Sequence, residues 1–213
     1  MSRLILASKS ARRFELLSMT GRSFEVKDAH VDEDAIVNRI LHDSASTDDG
    51  LTDQDCPPMY LTAKRICCAL AEAKAQAVLE QECGSDVVVL GSDTIVVTED
   101  EILGKPADEA DARRMLQKLS GKTHRVYTGV SILSRENRNI FSCHADVRFH
   151  DMDATQSELI EDYIATGSPM DKAGAYGIQD QGSLLIDSIE GDYYAVVGLP
   201  VSRVNRELIH FEL

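Results

Sequence analysis

Val87-Val88-Val89-Leu90 is followed by Gly91-Ser92-Asp93-Thr94 and then by Ile95-Val96-Val97-Thr98. The first four residues are apolar without alternation, the pattern of a strand buried on both faces. The Gly-Ser-Asp-Thr stretch reads as a break, after which Ile95–Thr98 resumes the strand. Asp93 is thereby expected at the carboxyl end of a central strand, where open α/β sheets place their chemistry. An Asp that only caps a turn is the alternative. A haloacid-dehalogenase nucleophile would need a second Asp two positions on, and that position is Ile95.

The same alternation of elements extends to either side. Leu4–Ala7 is a short apolar strand, and a helix starts after Ser10, a good N-cap, with Phe14 and Leu17 on its apolar face and Gly21 as a stop. Ile66, Leu70, Ala73 and Ala77 recur at helical spacing between Met59 and Leu79. A third helix follows Gly104-Lys105-Pro106, with acids in its first turn, Lys118 near its end and Gly121 as its stop. Arg125–Leu133 and Ile140–Phe149 read as two strands of a hairpin, the second alternating through Phe141, Cys143, Ala145, Val147 and Phe149. A helix is expected from the capping box Thr155-x-x-Glu158 to Gly167, short strands at Ser183–Ile186 and Ala195–Val197, and a last helix after Pro200. Strands alternating with helices, interrupted by one hairpin, predict an α/β fold: a mixed sheet with helices on both faces. No linker cleanly divides two domains. Residues 38–58 are polar and acidic, close on Pro57-Pro58, and read as a loop insertion.

Charge narrows the partners. The chain of 213 residues carries 22 Lys+Arg against 36 Asp+Glu, a net −14. Nine acids and one base, Arg39, lie between Asp28 and Asp55, so more than half of the excess sits there. Such a balance excludes a general binder of nucleic-acid polymers and a basic membrane-surface protein. A polyanion must bind, if at all, in a local cationic pocket, with a divalent metal. The five cysteines form no CxxC pair, no zinc site is expected, and no apolar run approaches the ~20 residues of a membrane span. A cytoplasmic address with reduced thiols is the simplest expectation.

Some residues resist a purely structural role. Arg12 and Arg13 fall in the first turn of the first helix, where each cation is disfavoured by about 0.3–1 kcal/mol unless an anion occupies the helix mouth. With Ser8 and Ser10 they compose a phosphate site; a pair of solvent-facing arginines is the alternative. Asp171-Lys172-Ala173-Gly174-Ala175-Tyr176-Gly177-Ile178-Gln179 reads either as a tight loop or as a wall whose glycines let backbone approach a ligand. Lys74 and Lys105 are phosphate contacts or ordinary solvated lysines. Walker loop, GxGxxG fingerprint, HExxH helix and nucleophile elbow are all absent from the sequence.

Taken in order, LILASKSARRFELL (Leu4–Leu17), VDE (Val31–Glu33), LAEAKA (Leu70–Ala75), VLGSDTIV (Val89–Val96), ILGKP (Ile102–Pro106), LSGKTHRVYTGV (Leu119–Val130), DKAGAYGIQ (Asp171–Gln179) and VVGLPV (Val196–Val201) resemble the Maf family of nucleoside-triphosphate pyrophosphatases. Ala11 departs from the family's usual Pro, and the acidic 38–58 stretch is longer than the family's usual loop. The resemblance implies one domain over residues 1–213, two lobes around a central cleft, similar to the inosine-triphosphatase group. It implies hydrolysis of a nucleoside triphosphate to monophosphate and pyrophosphate with Mg²⁺ or Mn²⁺. Carried over by motif, Asp93 is the catalytic acid–base residue and, with Glu33, the metal ligand. Ser8, Ser10, Arg12, Arg13, Lys74 and Lys105 then line the phosphate end, and Asp171, Lys172 and Gln179 the opposite wall. Arg12, Thr94 and Gln179 match the family branch acting on dTTP and UTP. The expected partner is the nucleotide, with no membrane and with a homodimer as an admissible assembly. A nucleotide-binding regulator of division or septum formation is the second reading; the intact Asp93, Glu33 and cationic set favour the enzyme.

Overall fold

The structure is a computed structural model and describes residues 2–43, 57–84 and 86–211. Its strands are β1 (Arg3–Ala7), β2 (Phe24–Lys27), β3 (Val87–Val97), β4 (Ile102–Leu103), β5 (Thr123–Leu133), β6 (Arg138–Phe149) and β7 (Ile186–Gly191). Its helices are α1 (Ala11–Ser18), α2 (Glu33–Asp43), α3 (Pro58–Leu79), α4 (Glu109–Leu119), α5 (Ala154–Ala165), α6 (Tyr193–Val197) and α7 (Val201–Glu207). The seven strands make one mixed sheet of order β2-β1-β3-β5-β6-β7, with β4 paired to β3. β1 runs parallel to β2 and β3, whereas β3, β5, β6 and β7 are antiparallel in turn.

Alternation along the central strands sorts the core onto two faces. Leu4, Leu6, Val88 and Leu90 point to the face covered by α1, α6 and α7, packing with Leu17, Val197 and Val204. Ile5, Ala7, Val87 and Val89 point to the face covered by α3, packing with Ala75 and Val78. Towards the other end of β3 the same alternation puts Ile95 and Val97 against Ile66 and Leu70, and Val96 against α4 and α5. Helices on both faces explain why β1 and β3 read as unbroken apolar runs.

The sheet has a gap that decides where the site lies. β1 pairs with β3 only as far as Leu6 opposite Leu90, and β4 takes up that same edge of β3 at Val96. Among the described residues no strand covers this edge between them, so Gly91–Ile95 face an opening.

Several local expectations are corrected. β3 is continuous from Val87 to Val97, so Gly91–Thr94 are strand and Asp93 lies inside the strand, not at its end. Within the stretch 38–58, α2 continues to Asp43 and α3 begins at Pro58; residues 44–56 lie outside the described residues. α5 is capped by Asp153, whose side chain accepts from the Gln156 amide, two residues before the expected Thr155 cap. Residues 181–185 form a 3₁₀ turn preceding β7, and Ala195–Val197 are helical because Asp192 accepts from the amides of Tyr194 and Ala195. β2, a peripheral edge strand with two charged residues in four, carries too little pattern to be read as a strand. No helix among the described residues is long and apolar enough to cross a membrane.

Candidate active site

The opening beside β3 widens into a cleft of about 1570 Å³. Ser8, Ser10, Arg12, Arg13, Glu33, Lys74, Asp93, Thr94, Lys105, Asp171, Lys172 and Gln179 all line it. The site residues named from sequence are therefore brought together, from positions 8 to 179 of the chain.

One wall is the turn from β1 into α1. Ser10 caps the helix by accepting from the Arg13 amide at 3.4 Å, and Ser8 Oγ accepts from the Ser10 amide at 3.2 Å. Arg13 is fixed by three bonds: Nε to the Gly198 carbonyl (3.0 Å), Nη1 to Ser8 Oγ (3.4 Å) and Nη2 to Thr94 Oγ1 (3.2 Å). Its hydroxyl partners form a directed chain. Thr128 donates to the Ala195 carbonyl at 2.6 Å, which leaves the proton of the 2.9 Å Thr94–Thr128 contact to come from Thr94. Burial lowers the Arg13 pKa from its ordinary value, and Asp93 opposes that fall; a guanidinium remains charged nonetheless. The first-turn arginine is thus a held cation facing a cleft, not a solvated one. Arg12 is more exposed and reaches towards Asp171 at 3.9 Å, spanning the mouth.

The centre is an ammonium between two carboxylates. Lys74 Nζ lies 2.6 Å from Asp93 Oδ1 and 2.8 Å from Glu33 Oε1, with the Lys74 and Asp93 side chains only 12% and 13% exposed. Glycines make this approach feasible. A Cβ on Gly91, on the same strand face as Asp93, would stand 2.2 Å from the Ala71 carbonyl oxygen; one on Gly129, directly opposite Asp93, would stand 2.4 Å from that of Cys67. Their bare Cα atoms let α3 lie on the sheet closely enough to lay Lys74 over Asp93. Burial raises the Asp93 pKa above its ordinary value, against the lowering by Lys74 and Arg13.

The opposite wall is the 171–180 segment. The Gly174 amide donates to the Gly104 carbonyl at 3.0 Å, tying this wall to the loop that carries the exposed Lys105. Gly174 has φ 69°, with no room for a Cβ against Val96, and Ala175 follows at φ 62°, a backbone strain of about 1–3 kcal/mol for a residue with a side chain. Tyr176 is buried, its hydroxyl 2.8 Å from His124 Nε2 and its ring edge-on to Phe149. Lys172 turns inward, its ammonium held by Asp171 (2.8 Å), Ser168 Oγ (3.1 Å) and Asp180 (3.3 Å). Gln179 is exposed at the lip.

Sequence reasoning missed Ser92, Thr128 and Asp180. Ser92 is fully buried and its hydroxyl lies 3.0 and 3.1 Å from the Gly129 and Gly198 carbonyls, stitching β3 to the α6 end that also holds Arg13. A polar residue inside an apolar strand demands such partners, and that was its signal. The signal for Asp180 was Asp-x-Gly, the spacing of a side chain that caps its own turn.

The chain matches known proteins along its length. Residues 3–211 match the family described as Maf-like protein. Proteins named dTTP/UTP pyrophosphatase from Bacillus thuringiensis subsp. konkukian (strain 97-27) and Bacillus cereus (strain ATCC 10987 / NRS 248) are each 44% identical over the whole chain, which covers 97% and 92% of their lengths. A protein of that name from Bacillus anthracis is 43% identical over the same span. With the cleft, the cationic turn and the buried carboxylate in place, the chain belongs to the Maf family.

Proposed function

We propose that this chain hydrolyses nucleoside triphosphates to the monophosphate and pyrophosphate, preferring UTP and dTTP. The observation that carries the reading is Lys74 held between Glu33 and Asp93 beside the fixed Arg13. Asp93 takes the proton of a water attacking the α-phosphorus, and burial, by raising its pKa, makes it a stronger base than an exposed Asp. Arg13, Arg12 and Lys105 neutralise the charge that develops on the phosphoryl oxygens and the leaving pyrophosphate. Arg13 is already immobilised, so it needs little reorganisation when that charge appears.

The residues fit a divalent cation. Glu33 and Asp93 converge on one cationic group, the Lys74 ammonium, and hard ions are commonly held by one or two carboxylates with phosphate oxygens completing the shell. Among the described residues no cluster of three or more His, Cys, Asp or Glu competes for that role. When bound, Mg²⁺ or Mn²⁺ supplies charge neutralisation on the phosphates.

At the other wall Gln179 reads the base: its amide accepts from a pyrimidine N3–H and donates to a carbonyl oxygen, while Arg12 supplies a second donor. Guanine repeats the acceptor and N–H that face Gln179 but presents its 2-amino donor where uracil presents the O2 acceptor, so the second donor is left unpaired, and an unpaired buried group costs about 1–3 kcal/mol. The relatives' name and the intact Asp93 favour catalysis over a non-catalytic regulator of division. A cytoplasmic enzyme of one domain, its two lobes flanking the cleft, is the organisation implied. Steady-state kinetics on UTP, dTTP, CTP, GTP and 7-methyl-GTP test the substrate class. We expect UTP and dTTP to lead the purines by roughly ten- to a hundred-fold in kcat/KM. GTP or 7-methyl-GTP as the best substrate overturns the base assignment, and no pyrophosphate release from any of them overturns the activity.

A further inference from the structure

Asp180 follows Gln179, and its carboxylate gathers four donors of the base-side wall. Its Oδ1 accepts from the Gly182 amide at 2.9 Å and from the Tyr163 hydroxyl at 3.0 Å. Its Oδ2 accepts from Ser168 Oγ at 2.8 Å and lies 3.3 Å from the Lys172 ammonium. Tyr163 in turn accepts from the Gly177 amide at 3.0 Å. The backbone is therefore pinned at Gly177, two residues before Gln179, and at Gly182, three residues after it. The segment folds tightly on itself: a Cβ on Gly177 would stand 2.9 Å from Asp180 Oδ2, and one on Gly182 would stand 2.6 Å from the Gly177 carbonyl oxygen. Ile178 is buried in the core while Gln179 is exposed.

We infer that Asp180 is a specificity-determining positioning residue: by holding Gly177, Gly182, Tyr163 and Lys172, its carboxylate fixes how far Gln179 reaches into the cleft and so sets discrimination between pyrimidine and purine bases. The inference rests on the reading of Gln179 as the base contact. A carboxylate suits the task because Oδ1 and Oδ2 serve four donors from three different segments, which no neutral side chain does at once. Burial alone would raise the Asp180 pKa, but the Gly182 amide, the Ser168 and Tyr163 hydroxyls and Lys172 outweigh it and hold the group below its ordinary value. It stays ionised, with Lys172 offsetting part of the charge that Asp171 and Asp180 bring to this wall. If the clamp is lost, the lip relaxes outward, and a wider site admits purines while gripping pyrimidines less well.

The test uses the full chain and compares Asp180→Ala, Asp180→Asn, Gln179→Ala and, as a core control of similar thermal destabilisation, Val147→Ala. The readouts are kcat and KM on UTP and GTP. We expect Asp180→Ala to lower the UTP-over-GTP ratio of kcat/KM about tenfold, mostly through KM for UTP, with kcat at saturating UTP within about threefold. Asp180→Asn, which keeps an acceptor for Gly182 and Tyr163, should restore part of the ratio, and Val147→Ala should leave it unchanged. If Gln179→Ala collapses the ratio while Asp180→Ala preserves it, the role of Asp180 is overturned and the base reading stands. If Gln179→Ala preserves the ratio, the base reading fails and this inference falls with it. Should Asp180→Ala not fold, Tyr163→Phe, which removes the hydroxyl joining Asp180 to Gly177, must lower the ratio in its place; an unchanged ratio there overturns the inference equally.

Discussion

Asp93 holds two opposed influences in one side chain. Burial makes its charge costly, and an ammonium at 2.6 Å makes the charge tolerable. Removing one partner from a buried pair is the expensive change, because the other is left uncompensated; Lys74 also retains Glu33 at 2.8 Å, which limits the damage of a change at Asp93. Asp93→Asn keeps the shape and the oxygen facing Lys74 but cannot take a proton from water. We expect kcat to fall by ~10²–10⁴ while nucleotide affinity, measured by calorimetry, changes little. A purified variant with the kcat of the parent would refute the role assigned to Asp93.

At the scale of elements, the site depends on how closely α3 lies on the sheet. Gly91 has an ordinary strand backbone, so the need for glycine there is purely one of space against the Ala71 carbonyl. Gly91→Ala should cost about 1–3 kcal/mol by overpacking, lowering Tm by about 2–4 °C for each kcal/mol in a chain of this size. Because the helix moves away carrying Lys74, kcat should fall as well. A variant matching the parent in both Tm and kcat would show that α3 has slack at this contact. The same glycine explains a misreading. Helix α3 was legible from its 3.6-residue period, but a Gly followed by three polar residues looks like the end of a strand. What keeps β3 continuous through Gly91–Thr94 comes from far along the chain: the antiparallel ladder with β5 from Ser131 to Thr128, with Gly198 for Ser92, Lys74 for Asp93 and Arg13 for Thr94. None of those partners is visible in a local window. Tyr193–Val197 failed for a related reason, since five residues are too few to display a helical period and only the Asp192 cap marks them.

For the whole molecule, the decisive feature is a sheet whose central strand is longer than its neighbour. β1 stops at Ala7 while β3 runs on to Val97, and the uncovered edge becomes the floor of a cleft between two parts of the core. The overall charge of −14 extends into the cleft, whose lining carries six cations against nine carboxylates, so a polyanion is met by the local cluster of Arg12, Arg13, Lys74 and Lys105 and not by the cleft as a whole. The grouping of the site was legible through the ordered motifs that resemble the Maf family, whereas each motif taken alone left a structural alternative open. Its internal wiring was not, because Ser92, Thr128 and Asp180 act through bonds to distant backbone and side chains. In the proposed mechanism, water deprotonated at Asp93 attacks the α-phosphorus and expels pyrophosphate. Turnover of UTP in ¹⁸O-labelled water with mass analysis of both products tests it most directly. The label should appear in UMP and not in pyrophosphate; label in pyrophosphate, or release of inorganic phosphate with UDP, would contradict it.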